Sequence, residues 1–162
     1  MKIPAAILTV SDSCHKGLRQ DASGPRLRVL LADAGFEVKA SRIVPDEVER
    51  IASALRELSS EARFVVTTGG TGIAPRDVTP EATRAVCERV IDGIAEMMRR
   101  DGLKDTPFAA LSRGVCATLG KSLVLNVPGS PAGAEQSLRT VLPIVAHALD
   151  LLGGKTEHSG AH

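Results

Sequence analysis

The chain has 162 residues, of which 43% are hydrophobic and 24% charged, a composition suited to one domain with one core and far from that of disordered chains. Lys and Arg total 20 against 19 for Asp and Glu, and Trp and Tyr are absent. So even a balance argues against bulk attraction to nucleic acid or membrane, and base-stacking platforms cannot be built from Phe36, Phe64 and Phe108 alone.

In chain order, Ile3 to Val10 reads as a buried first strand, an apolar run with β-branched residues. Ser11 to Gly24 is polar and is expected to be a loop. Pro25 to Gly35 follows as a helix, with Leu27, Val29, Leu30, Leu31 and Ala34 as its apolar face and Gly35 at its end. Phe36 to Val44 is polar enough for a strand near a sheet edge. Asp46 is then placed to cap a helix through Leu58 whose core positions are Val48, Ile51, Leu55 and Leu58. Arg63 to Thr68 predicts a third strand, ending in a run of glycines and threonines.

Thr79 reads as the cap, and Pro80 as the first residue, of a helix to Arg89. Gly93 to Arg100 predicts another helix, Pro107 to Gly114 a short helical segment, and Leu123 to Val127 a buried strand. The last helix spans about Ala132 to Leu152, with a bend expected near Pro143 and a stop at Gly153-Gly154. Strands alternating with helices imply an α/β fold: a three-layer sandwich with a mostly parallel central sheet and helices on both faces. One domain over residues 1–153 and a flexible polar tail over 154–162 are expected.

Cys14, Cys87 and Cys116 are odd in number and widely spaced, which argues against a disulfide framework or a zinc finger and fits reduced thiols in cytoplasm. Cys87 and Cys116 sit among apolar residues and read as core fillers. No segment approaches 18 unbroken apolar residues, and the opening apolar stretch is too short for a signal peptide. His15, His147, His158 and His162 have no metal-ligand spacing.

Ligands of a parallel sheet bind outside the carboxyl ends of its strands. Four loops at such ends hold most of the unusual residues: Ser11-Asp12-Ser13, Val44-Pro45-Asp46-Glu47, Thr67-Thr68-Gly69-Gly70-Thr71-Gly72, and Asn126-Val127-Pro128-Gly129-Ser130-Pro131. Bare backbone N–H groups at Gly69, Gly70, Thr71 and Gly72 suit phosphate oxygens, the alternative being a turn that needs positive φ. The run is neither a P-loop nor a dinucleotide fingerprint. Asp77 follows it and reads either as an alternative cap or, with Thr79 capping, as a carboxylate free to hold Mg²⁺ beside phosphate. Asp46 taken alone reads as a cap, and on the same crevice as a second metal carboxylate. Asp12 is open between nucleotide contact and loop brace, Arg76 between phosphate contact and salt bridge, and Ser112 and Arg113 between a second phosphate site and helix-end roles. Asp21, Ser23 and Gly24 make a polar turn, and Ser130 can cap the final helix, whose N-terminus favours anions.

These segments, with Pro75-Arg76-Asp77-Val78-Thr79-Pro80-Glu81-Ala82-Thr83, Leu111-Ser112-Arg113 and the Asp21-x-Ser23-Gly24-Pro25 turn, resemble the molybdopterin adenylyltransferase family from about Pro4 to Leu152. That family groups the bacterial enzyme with a plant G domain and the corresponding domain of gephyrin. The resemblance implies transfer of AMP from ATP to the terminal phosphate of molybdopterin, with release of pyrophosphate and use of a divalent metal such as Mg²⁺. It implies a homotrimer that hands its product to a molybdenum-insertion protein. The family's two acidic positions fall on Asp46 and Asp77, its nucleotide loop on Gly69, Gly70, Thr71 and Gly72, and its pterin-side serine on Ser112. Ser11, Asp12, Pro128, Gly129 and Ser130 complete the expected binding set, although many relatives carry Asn or Gln where this chain has Ser130. A pterin carrier or scaffold of the same fold, without turnover, is the rival expectation.

Overall fold

A computed structural model describes residues 1–156. Six strands form one sheet: β1 (Ile3–Val10), β2 (Phe36–Val44), β3 (Phe64–Thr68), β4 (Arg89–Val90), β5 (Cys116–Leu119) and β6 (Ser122–Val127). Their spatial order is β2-β1-β3-β6-β5-β4. The four strands from β2 to β6 run parallel, and β5 and β4 add antiparallel pairs at one edge.

Because side chains alternate along a strand, each central strand feeds two cores. Ala5 and Ile7 of β1, Phe64 and Val66 of β3, and Leu123 and Leu125 of β6 pack under the helices α2 (Ser23–Asp33), α5 (Asp92–Gly102) and α6 (Pro131–Leu152). Ala6 and Leu8, Val65 and Val124 face the other way, onto α3 (Val48–Glu61) and α4 (Thr79–Val86). Helices thus cover both faces of a mostly parallel sheet, as expected. β2 is an edge strand whose residues alternate between covered and exposed, which explains its polar sequence.

Several local expectations are corrected. Ser11 to Gly24 is not all loop: Ser11 caps a single helical turn, α1 (Asp12–His15), its hydroxyl accepting from the Cys14 amide at 3.2 Å. α2 begins at Ser23, ahead of Pro25, since the Asp21 carboxylate accepts from the Gly24 amide at 3.0 Å and so serves the first turn. Its buried stripe is Leu27, Leu30 and Leu31, with Val29 and Ala34 on the outside. Neither Asp46 nor Thr79 caps a helix; the residues before α3 and α4 are Glu47 and Val78, without side-chain caps. α4 ends at Val86, so that Arg89 and Val90 can pair with Thr118 and Ala117 of β5. The segment expected from Pro107 to Gly114 is a 3-10 turn over Pro107–Leu111, shorter than expected. α6 continues through Pro143 to Leu152 as one helix, capped by Ser130, whose hydroxyl accepts from the Gly133 amide at 3.3 Å.

Candidate functional site

The glycine loop leaves β3 in a conformation that side chains resist. Gly69 and Gly70 have φ of 100° and 67°, in the left-handed region. A Cβ on Gly69 would run into the Val10 carbonyl oxygen, and one on Gly70 into the Thr79 hydroxyl. The turn therefore needs its glycines, yet their backbone is not all consumed by the turn. The Gly69 amide donates to the Val127 carbonyl at 3.2 Å, whereas among the described residues the amides of Gly70, Thr71 and Gly72 find no protein acceptor. The turn reading thus holds at Gly69 and Gly70, and the three open donors suit anionic oxygen.

A buried chain of polar side chains holds this loop. Asn126 on β6 donates from Nδ2 to the hydroxyls of Thr67 and Thr83, each at 3.0 Å, and accepts from the Val115 amide at 3.1 Å. Thr83 donates to the Thr79 carbonyl at 2.8 Å, and the Thr79 hydroxyl donates to the Gly69 carbonyl at 2.9 Å. The Thr79 amide closes onto the Gly70 carbonyl at 3.1 Å. Thr79, expected as a helix cap, is instead the strut between α4 and the glycine loop. No buried side-chain nitrogen or oxygen among the described residues lacks a partner.

Three aspartates stand around the loop. The Asp12 and Asp46 carboxylates each accept from the other's backbone amide, at 3.0 and 2.9 Å, locking the ends of β1 and β2 together. Asp12 also takes a bidentate pair from Arg76, at 2.7 and 2.9 Å, and that guanidinium holds its carboxyl down at about 2. Asp12 is thus a brace and Arg76 its salt-bridge partner. Asp46 Oδ1 stands 3.1 Å from where a Cβ on Gly70 would be. Burial, then the neighbouring charges of Asp12 and Asp77, pushes the Asp46 carboxyl above its ordinary value. Asp77 accepts from the Ala74 amide at 2.9 Å through Oδ2, the oxygen that faces Gly72, and its other oxygen is not used in that bond. Arg113 is spent on structure: it donates to the Gly72 and Asp77 carbonyls at 2.8 Å each and pairs with Glu81 at 2.9 Å.

Two cavities flank the Gly129-Ser130 turn. The larger, about 460 Å³, opens in front of the loop and is lined by Gly70, Thr71, Gly72, Asp77, Ser112, Pro128, Gly129 and Ser130. Its far side adds residues that sequence reasoning missed: Arg99 and Met98 on α5, Phe108 on the 3-10 turn, and Gln136 on α6. Nothing in their spacing marks them, because helix packing alone brings them to the strand ends. The smaller cavity, about 290 Å³, is lined by Thr9, Ser11, Arg19, Asp21, Ser23, Thr68, Gly69 and again Gly129 and Ser130. Asp12 and Asp46 line neither cavity and sit behind Gly70.

Among the described residues, no set of three or more His, Cys, Asp or Glu is arranged to enclose a metal. Asp46 and Asp77 nonetheless suit Mg²⁺, which takes one or two carboxylates and completes its shell with water and phosphate oxygens. An Asp46 carboxyl raised by burial and then by like charges is what a divalent cation would relieve. His15 ends α1 and His147 lies within α6, and His158 and His162 lie outside the described residues. Burial pushes the Cys87 and Cys116 thiols up to about 11 and about 12, consistent with inert fillers. No helix among the described residues is long and apolar enough to cross a membrane.

Residues 6–147 match the family described as a probable molybdopterin binding domain. Over 156 residues the chain is 38% identical to a molybdopterin adenylyltransferase of Helicobacter pylori (strain J99), covering 94% of this chain and 89% of that one. It is 40% identical over 154 residues to the molybdenum cofactor synthesis protein cinnamon of Drosophila melanogaster, covering 93% of this chain but 26% of that longer protein. Its fold is similar to the crystal structure of the molybdopterin biosynthesis enzyme MoaB from Thermus thermophilus, with a TM-score of 0.89, 50% identity, and coverage of 94% and 98% of the two chains.

Proposed function

This chain belongs to the molybdopterin-binding domain family, and we propose that it is a molybdopterin adenylyltransferase, moving AMP from ATP to the terminal phosphate of molybdopterin. One observation carries the reading: unpartnered amides at Gly70, Thr71 and Gly72 lie between the Asp46 and Asp77 carboxylates, on the wall of a cleft large enough for a pterin. Phosphate belongs beside such amides, and carboxylates belong beside phosphate when a divalent cation lies between them.

In this reading a terminal phosphate oxygen of molybdopterin bonds to the α-phosphorus of ATP as the bridge to the β-phosphate breaks, and pyrophosphate leaves. No covalent protein intermediate is required, and the protein contributes alignment and fixed dipoles. The amides of Gly70, Thr71 and Gly72 hold nucleotide oxygens. Asp46 and Asp77 would hold Mg²⁺, which supplies charge neutralisation at the reacting phosphates. Ser130, Gly129 and Pro128 stand where the two cavities meet and orient the phosphates, with the N-terminus of α6 behind them. Ser112 lies on the pterin side, and Ser11 and Asp12 steady the nucleotide side, Asp12 by fixing Asp46. The catalytic domain is taken as residues 1–153, with 154–162 as tail. A homotrimer acting in the cytoplasm and passing adenylylated pterin to a molybdenum-insertion protein completes the proposal.

The test is to mix protein, ATP, Mg²⁺ and molybdopterin and measure pyrophosphate and adenylylated pterin together. Stoichiometric release is expected. Asp77→Asn, which keeps an acceptor for the Ala74 amide, should lower kcat at least about a hundredfold, the scale for losing one preorganised electrostatic contact. Tight pterin retention without pyrophosphate would favour the carrier reading. Full activity of the variant at saturating Mg²⁺ would remove Asp77 from the metal site.

A further inference from the structure

This chain has three aromatic side chains, and two of them are spent on the core. Phe36 and Phe64 are 4% and 0% exposed and pack on each other with ring centroids 5.4 Å apart. The third, Phe108, lines the larger cleft yet is 74% exposed. Exposing so large a ring forfeits its burial free energy, roughly 1.5–3 kcal/mol for a fully covered Phe. The core would not select this position, and among the described residues the ring pairs with no other aromatic ring.

The turn that carries the ring is also held in place. The Thr106 hydroxyl accepts from the Phe108 amide at 3.3 Å, and the 3-10 turn closes with the Ser112 amide donating to the Ala109 carbonyl at 3.2 Å. Thr106 itself is tied to α5, its amide donating to the Gly102 carbonyl at 3.1 Å. From this anchored turn the cleft continues past Met98 and Ala95 of α5 to the glycine loop and Ser130. One end of the cleft therefore offers N–H donors and a helix N-terminus, and the other a planar apolar surface.

We infer that Phe108 is the stacking residue of the site, closing over a flat nitrogen heterocycle whose phosphate is oriented at Pro128–Ser130. The inference rests on the adenylyltransferase reading for its substrates. Both of those substrates carry such a heterocycle. Phe108 and Ser112 share one turn, so the pterin ring is the expected occupant and the adenine the other arm of the test.

The experiment titrates free pterin and, separately, AMP into the full-length protein and into Phe108→Ala, Phe108→Leu and Phe108→Trp, following ligand fluorescence or calorimetry. With Phe108→Ala the pterin should bind roughly 5- to 150-fold more weakly, the range lost when base–aromatic stacking is removed. AMP affinity should stay within about twofold. Phe108→Trp should restore pterin binding, and Phe108→Leu should not. In turnover, Phe108→Ala should raise KM for the pterin substrate with little change in kcat. Its melting temperature should not fall, since so exposed a ring contributes little to the core. Loss confined to AMP would assign the stack to adenine and keep Phe108 as the stacking residue. Unchanged binding of both ligands, or full rescue by leucine, overturns the inference. So does a fall in assembly mass on Phe108→Ala, which would place the ring between subunits. Because binding is read without turnover, weakened pterin binding in a protein that releases no pyrophosphate would leave this inference standing while the adenylyltransferase reading fell.

Discussion

Asp46 shows how far a single residue can be read from sequence. An Asp just before an amphipathic run has an obvious local use as a cap, and the expectation followed that use. The structure gives it a non-local one: its carboxylate accepts from the Asp12 amide at 2.9 Å while its own amide donates to Asp12 at 3.0 Å. Pairing across 34 residues has no signature in local spacing, so only the place of Asp46 on a crevice loop and the resemblance mark it as more than a cap. Its carboxyl is raised above the ordinary 3.8 by burial first and by neighbouring carboxylates after that. The stability it contributes is complete below that ordinary value and is lost as pH rises through the folded one. At neutral pH the ionised group is thus a strain on the metal-free protein. Asp46→Asn, whose amide oxygen can still accept from Asp12, is expected to raise the metal-free melting temperature. The same change should abolish Mg²⁺-dependent turnover. Calorimetry at pH 7 with chelator checks the first half, and a lower melting temperature for the variant would refute it. Asp12 has the opposite sign: held at about 2 by Arg76, its contribution is present above the ordinary value and fades only as pH falls through about 2.

At the scale of elements, the long periodic segments were readable and the short ones were not. β1, β2, β3, β6 and the cores of α3 and α6 carry enough pattern to be located within a few residues. β4 has two residues and β5 four, too few to show a period, and both exist because β6 offers an edge. One signal was available. Leu119 pairs with Ser122 around Gly120-Lys121, and Gly120 has φ of 59° while Lys121 does not share it, the pattern of a tight two-residue hairpin with glycine first. The link between α4 and the glycine loop was likewise hidden, because threonines in a helix read as poor helix formers rather than as struts. Thr83→Val is expected to strand an Asn126 N–H, costing about 1–3 kcal/mol, whereas Thr83→Ser should keep most of the stability. Urea unfolding of the two variants checks this. A valine variant as stable as wild type would mean the buried chain is not under load. Turnover of the valine variant should fall further than its stability alone explains, since the Gly69 carbonyl is positioned by the same chain.

The whole molecule explains why these loops meet. The strand order β2-β1-β3 reverses direction of growth between β1 and β3, so the loops leaving those two strands part and leave a crevice there. The smaller cavity, between Thr9, Thr68 and Gly69, occupies that place, and β6 brings Gly129 and Ser130 beside it. The strand-end loops named from sequence do converge; the far wall, built by Arg99, Phe108 and Gln136, came from packing that no local pattern encodes. If the glycine loop and the two carboxylates are parts of one nucleotide site, their contributions should separate in a binding linkage. AMP at a hundredfold excess over its dissociation constant adds about 2.7 kcal/mol to stability, roughly 5–10 °C at this chain length. Mg²⁺ added with AMP should raise the melting temperature further in the wild type. In the Asp46→Asn, Asp77→Asn double variant the AMP increment should remain, because the amides of Gly70 to Gly72 are untouched, and the Mg²⁺ increment should vanish. A double variant that still responds to Mg²⁺ would place the metal elsewhere. An AMP increment that disappears with the carboxylates would mean that the loop does not bind phosphate by itself.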